Sequence, residues 1–398
     1  MPVVTMLQRY LRTACATIHA TRLHVLVAAV DAVTRGGRLT LTGLGHTLHS
    51  RTSIKHTIKR MDRLLGNTHL QCERLLIYAA VTRHVLGAQT RPVIAVDWSD
   101  LTTDRRWQLL RASLPVGGRA VTLYDEVHSL QKLGNRHVQR TFLRRLQQVL
   151  PAGVRPILVT DAGFRSPWFR TVDELGWTFV GRVRNRDLVR FEPTSLWIAC
   201  KSLYARARAT PKPVGACDLV RSQPFRCRLV VVKEPRKHRV HTSVWGHKVR
   251  SAHSRKQAAG HREPWLLATS LALADYQAKQ IVAFYRTRMQ IEEAFRDMKA
   301  ERYGFGLNGS HTTQQARWTI LLLIAALAHM ALWLLGLATI QARHHYQYQA
   351  NTTRHRLVLS AITLGRHVIQ RGRDRLPAAV LWAALRQSQI TLCALTTP

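Results

Sequence analysis

Apolar positions recur every three to four residues through the first 88 positions, interrupted by short polar breaks, and this period predicts a run of amphipathic helices. Within it, LTLTGLGHTLHSRTSIKHTIKRMDRLLGN predicts a short helix to about Leu48, a polar turn, and a second helix that Ser53 caps and Gly66 closes. On the second helix Ile54, Ile58, Met61 and Leu65 form the expected buried side, while Lys55, Lys59 and Arg63 recur every four residues. A helix-turn-helix presents cations to a DNA groove in this way, and an ordinary surface helix carries its charges in the same way.

From Arg91 the period falls to two. PVIAVDW, WQLLRASL and AVTLYDEV predict three strands of a meander, with a turn at Gly117 and Gly118. An amphipathic helix from about Val138 to Leu150 follows, then a buried strand PILVTDAGF ended by Asp161, a helix through Trp168 and Phe169, and a strand at TFVGRV. Three strands, helix, strand, helix is the order of an α/β core with a mixed sheet. After Arg182 the chain becomes basic and irregular, with strand-like pieces at CRLVVVK and VHTSVWGH. The segment KVRSAHSRKQAAGHR offers many cations and nothing to bury, and reads as a loop that orders on phosphate. WLLATSL, from Trp265, returns to a strand. Further helices with basic faces are expected beyond Gly336.

FYRTRMQIEEAFRDMK, from Phe284 to Lys299, predicts one helix. At about 100° per residue, Tyr285, Arg288, Glu292 and Lys299 fall within an arc of roughly 60°. Ala283, Phe284, Ile291, Ala294, Phe295 and Met298 make the neighbouring apolar arc, and Arg286, Glu293 and Asp297 point elsewhere. A carboxylate flanked by Arg, Lys and Tyr along the edge of a docking face suits phosphate near a metal, and a solvated charged face has the same appearance.

Charge sharpens the picture. The 398 residues carry 60 Lys and Arg against 22 Asp and Glu, a formal charge of +38 spread along the whole chain, with 46% hydrophobic residues. Such a chain buries a real core, and its field calls for a polyanion, nucleic acid first. Disorder is excluded as a class. Six cysteines without CxxC spacing and an amino-terminal stretch without a hydrophobic signal core point to free thiols in a reducing cytosol. The twenty histidines lack Cys or acidic partners at zinc-ligand spacing. Trp318 to Ile340 contains no Asp, Glu, Lys or Arg and is long enough to span a bilayer. With His329 near its middle and Arg317 and Arg343 outside both ends, it is expected to be a buried core helix, and no membrane partner is expected.

Asp97 and Asp161 each stand at the carboxyl end of an apolar strand, where a lone carboxylate is also a common turn or helix cap. Joined by Glu292 from a helix, they would form three clustered carboxylates, which divalent cations hold ionised. Mg²⁺ or Mn²⁺, two ions about 4 Å apart, is the expected cofactor for phosphodiester cleavage and transfer.

Those residues resemble a known family. Asp97, Asp161 and Glu292, with the spacing Tyr-x₂-Arg-x₃-Glu-x₆-Lys and the segments VDWSD, TDAGF with PWF, EPW followed by LAT, and RMQIEE with FRD, look like the DDE transposases of bacterial insertion sequences, in the group named for the YREK motif. The resemblance covers essentially the whole chain and implies an RNase H-like core with a mixed sheet, interrupted by a β-rich insertion and flanked by helical domains. It divides the chain into a helical DNA-binding domain (1–88), the first part of the core (89–182), the insertion (183–263), the second part of the core with the Glu-bearing helix (264–334), and a carboxy-terminal helical assembly domain (335–398). It implies metal coordination by Asp97, Asp161 and Glu292, and phosphate contacts from Tyr285, Arg288 and Lys299. It also implies stacking of a flipped base on Trp265, with Met289 probing the vacated stack. Partners would be transposon terminal repeats and target DNA, bound by a homodimer in the cytoplasm. The alternative is a catalytically inactive DNA-binding protein, architectural or regulatory, in which the charge binds DNA and the carboxylates do nothing.

Overall fold

The computed structural model describes residues 2–184, 187–194, 196–235, 263–302, 304–353, 355–373 and 376–394. The chain forms two compact units: Met1–Pro156 with Thr287–Thr397, and Ile157–Arg286. VHTSVWGH and KVRSAHSRKQAAGHR lie outside the described residues.

The first unit opens with helices α1 (Pro2–Ala14), α2 (Ala20–Thr34), α3 (Leu41–Thr47), α4 (Ile54–Leu65) and α5 (Thr68–Leu86). Strands β1 (Val93–Asp100), β2 (Trp107–Pro115) and β3 (Ala120–Ser129) then form the expected antiparallel meander. Its register sets Asp97 of β1 opposite Arg111 of β2, and Arg111 opposite Asp125 of β3. Helix α6 (Arg136–Val149) starts two residues earlier than its apolar period, because the Asn135 side chain accepts from the backbone N–H groups of His137 and Val138.

In the second unit β4 (Ile157–Thr160) pairs parallel with β5 (Thr178–Val183), joined by α7 (Ser166–Glu174). Beyond β5 the order is β10 (Trp265–Thr269), β9 (Phe225–Val232), β8 (Lys212–Leu219), β6 (Leu188–Arg190) and β7 (Ile198–Ala199), antiparallel throughout. Helix α8 (Ala278–Thr287) closes this part of the chain. The fold is therefore mixed α/β, with antiparallel pairs and, through α7, the parallel pair of β4 and β5.

The sequence predicts one helix from Phe284 to Lys299, but the structure interrupts it. Helix α8 ends at Thr287, Arg288 takes the N-cap position of α9 (Met289–Lys299), and the single stripe through Tyr285 is not continuous. Tyr285 is buried and Ala283 exposed, the reverse of the sequence expectation. The boundary between the two units falls at this break.

The apolar segment after Trp318 lies in α10 (Gln315–Gln341), which by length and composition could cross a membrane. It packs against β3, α2, α11 (Ala361–Gln370) and α12 (Ala378–Ala394), and nearly all of its surface is buried there. Its contact with α11 depends on two glycines. A Cβ on Gly336 would stand 1.8 Å from the Ala361 carbonyl oxygen, and one on Gly365 would stand 2.0 Å from that of Leu332. The two backbones approach so closely that no side chain fits between them.

Candidate active site

Asp97 sits near the end of β1, almost wholly buried, with the Trp98 N–H donating to its Oδ1 at 2.8 Å. Glu292 occupies the first turn of α9, where the positive end of the helix dipole favours a carboxylate, and its side chain stays 42% exposed. Arg288, immediately before that turn, joins them. Its Nη1 donates to Asp97 Oδ2 at 3.0 Å and lies 2.7 Å from Glu292 Oε1. Two oxygens from distant parts of the chain thus converge on one cationic atom.

Lys299, at the other end of α9, donates to Ser99 Oγ at 2.7 Å and lies 5.7 Å from the centre of the Phe295 ring. Ser99 is two residues beyond Asp97, so both side chains leave β1 on one face and meet the same helix. Burial is the largest influence on Lys299 and lowers its pKa to about 8; nearby Asp100 opposes the drop and Arg111 adds to it. Met289 adjoins the cluster, with its Sδ 3.5 Å from Arg288 Nη2.

Sequence reasoning missed the supports beneath α9. Arg111 is fully buried and holds Asp125 through Nε at 2.7 Å and Nη2 at 2.8 Å, and Asp97 is its other cross-strand neighbour. The same guanidinium touches Met298 Sδ at 3.3 Å and lies over the Phe295 ring. Arg119 clamps the outer side of the helix through Asp297 at 2.5 Å. Glu293, the nearest competitor to Glu292, pairs instead with Arg296 and Arg119. Asp100 and Asp104 face Arg105 and Arg106 in the exposed turn after β1.

In the second unit, Asp161 directly follows β4, and its Oδ1 accepts from the Gly163 N–H at 2.8 Å, a turn-capping bond that leaves Oδ2 to other partners. Tyr285 meets Trp265 edge to face, ring centres 4.8 Å apart. Beside Tyr285 is Arg182 of β5, opposite Leu267 of β10, whose Nε and Nη2 are buried without a hydrogen-bond partner among the described residues. Burial lowers its pKa, against the nearby Tyr285. A lone Arg inside the apolar strand TFVGRV was the only signal for it. The structure thus brings Asp97, Arg288, Glu292, Lys299 and Met289 together in one unit, and Tyr285 with Trp265 in the other, which also holds Asp161. Among the described residues, no group of three or more His, Cys, Asp or Glu side chains has metal-ligand spacing.

On the helix-turn-helix candidate, α3 and α4 cross where a Cβ on Gly45 would stand 2.5 Å from Ile58 Cγ1, and Thr57 Oγ1 donates to the Gly45 carbonyl at 2.7 Å. Lys55, Lys59 and Arg63 are exposed as expected. Three details differ from the sequence expectation. Ile54 is 53% exposed, Ile58 is only half-buried, and Thr57, which bonds the Gly45 carbonyl, is buried instead. Ser53 occupies the N-cap position without a side-chain capping bond.

The profile of the family described as Transposase DDE domain matches residues 88–330. The chain belongs to this family. The matched span contains both aspartates and the glutamate, so this transposase carries its acidic residues inside the family domain. Among solved structures it is similar to the piggyBac transposase, determined by cryo-electron microscopy as a synaptic complex with hairpin DNA. The likeness has 12% identity and a TM-score of 0.42 over 94% of this chain and 76% of that one, too low to transfer any residue. No curated protein matches the chain.

Proposed function

We propose that this transposase is a cut-and-paste enzyme of a bacterial insertion sequence, in the YREK-motif group and resembling the transposase of the bacterial tetracycline-resistance transposon. It binds terminal repeats, cleaves them through a hairpin intermediate, and joins the freed ends to target DNA. The observation that carries the reading is the convergence of Asp97 Oδ2 and Glu292 Oε1 on a single cationic atom, Arg288 Nη1.

Two hard oxygen donors directed at one cation fit Mg²⁺ or Mn²⁺, with Asp161 as the third ligand in an RNase H-like core. When bound, two such ions lower the pKa of a water or 3′-hydroxyl and stabilise the leaving oxygen. The chain's own residues do the rest. Arg288 and Lys299 hold the scissile phosphate and oppose its growing negative charge, and Tyr285 adds a phosphate contact. Trp265 receives a base turned out of the hairpin, and Met289 fills the space it leaves. Lys55, Lys59 and Arg63 hold DNA from the amino-terminal helices. The five-segment division of the sequence belongs to the same reading, as does a homodimer that pairs two ends. The protein works where its DNA is, in the cytoplasm.

The test is Mg²⁺-dependent nicking and hairpin formation on a duplex carrying the inverted ends that flank the reading frame. The wild-type chain should act and Glu292→Gln should not. Equal activity in both proteins removes the catalytic assignment, and inactivity of both with intact DNA binding favours the architectural alternative.

A further inference from the structure

Resting on that reading, we infer that Arg288 is a plug in the metal site which the DNA phosphate draws out, so that metal and transposon end each tighten the binding of the other. Its guanidinium stands at the point to which both carboxylates are directed, with Nη1 3.0 Å from Asp97 Oδ2 and 2.7 Å from Glu292 Oε1. The Trp98 N–H holds the other Asp97 oxygen at 2.8 Å and so fixes the direction of Oδ2. The Arg288 and Asp97 side chains are only 12% and 11% exposed, so water softens this pairing little.

The coupling follows from the charges. A divalent ion that enters between Asp97 and Glu292 separates the guanidinium from both of its anions. The other acids of α9 are already engaged, Glu293 by Arg296 and Arg119, and Asp297 by Arg119. Metal alone therefore leaves a cation unanswered beside it. A phosphate alone meets the converse penalty. By drawing Arg288 to itself it leaves two carboxylates facing each other and facing its own negative charge. When both ligands arrive, the ion answers the carboxylates and the phosphate answers Arg288. Two ligands that each remove the other's penalty bind with positive cooperativity, by the same factor whichever is added first. Lys299, on the same helix, is the contrast. Its Nζ donates to the neutral Ser99 Oγ at 2.7 Å, so a phosphate can engage it without stripping a carboxylate of its partner. Arg288 thus favours metal loading where a DNA end is seated.

The experiment reads the affinity of the full chain for a fluorescent, already cut end duplex by anisotropy, with and without Mn²⁺ at matched ionic strength, and its affinity for Mn²⁺ without DNA by calorimetry. In the wild type Mn²⁺ should tighten the duplex roughly 5- to 150-fold, the usual range of coupling between two sites. Arg288→Ala and Arg288→Gln should bind the duplex more weakly and lose most of that gain. The glutamine variant keeps a hydrogen-bond donor without the charge and so guards against a packing loss in the alanine variant. Lys299→Ala should also bind weakly yet keep the gain. An equal gain in the wild type and both Arg288 variants would mean that the coupling runs through direct contact between phosphate and metal, and would overturn the inference. No gain in the wild type, or its loss in Lys299→Ala, would do the same. Each of those results leaves the metal site standing where Glu292→Gln lowers Mn²⁺ affinity, whereas Mn²⁺ affinity unchanged by Glu292→Gln removes the site and the inference together.

Discussion

Arg288 reaches Asp97 across 191 positions of sequence, its Nη1 at 3.0 Å from Oδ2, while the same atom lies 2.7 Å from Glu292. Under the proposed mechanism, one residue that holds phosphate also stands where the two carboxylates direct a cation. A guanidinium and a divalent ion cannot share that point, and two unit charges of like sign at 4 Å oppose each other by about 4 kcal/mol at an effective dielectric of 20. Arg288→Ala should therefore tighten Mn²⁺ binding in calorimetric titration without DNA, tenfold for every ~1.4 kcal/mol of that opposition it relieves, while strand cleavage falls because nothing then holds the phosphate at that point. Unchanged or weaker Mn²⁺ affinity would sink the idea of competition.

Lys299 gives a pH signature. Its pKa is lowered to about 8 by burial, so its ammonium is present below that value and lost above it. A DNA phosphate pulls the value upward, so affinity for the end duplex should begin to fall only at or above pH 8. Stability runs the other way. Between about 8 and the ordinary Lys value of 10.5 the unfolded chain keeps a proton that the folded chain has released, so this group raises stability as pH increases across that window. Lys299→Arg should hold binding flat to pH 10, since a guanidinium does not titrate there. An equal fall in both proteins would assign the effect elsewhere.

Arg182 predicts a trade between stability and binding. A buried guanidinium with two nitrogens lacking a partner among the described residues costs folding free energy unless an anion meets it. Arg182→Met should leave the chain equally or more stable, by about 0–2 kcal/mol, and still reduce affinity for DNA ends. Marked destabilisation in urea titration would mean that its role is structural.

The Arg111–Asp125 pair should behave as a unit. Removing one partner leaves a buried unpaired charge, so Arg111→Met or Asp125→Leu alone should cost about 3–5 kcal/mol, whereas the double replacement should be close to neutral. Additive losses in the double-mutant cycle would contradict the pairing. Because Arg111 also touches Met298 and Phe295 on α9, each single change should loosen the Glu292 helix, seen as faster amide exchange along it.

Much of this protein is written locally. The change of apolar period at Arg91 placed β1, β2 and β3 within a few residues, because alternation along a strand directly encodes which side chains face the core. The charge of +38 called for a polyanion, and the DDE and YREK spacing pointed to the family whose profile spans 88–330. Tertiary structure alone decided the rest. It broke the helix at Arg288, buried Tyr285, left Ile54 exposed, and set Arg111 between Asp97 and Asp125 in the strand register. Periodicity fixes the faces of an element. Which residue from far along the chain meets those faces depends on how packed backbones approach one another, and no local pattern carries that information.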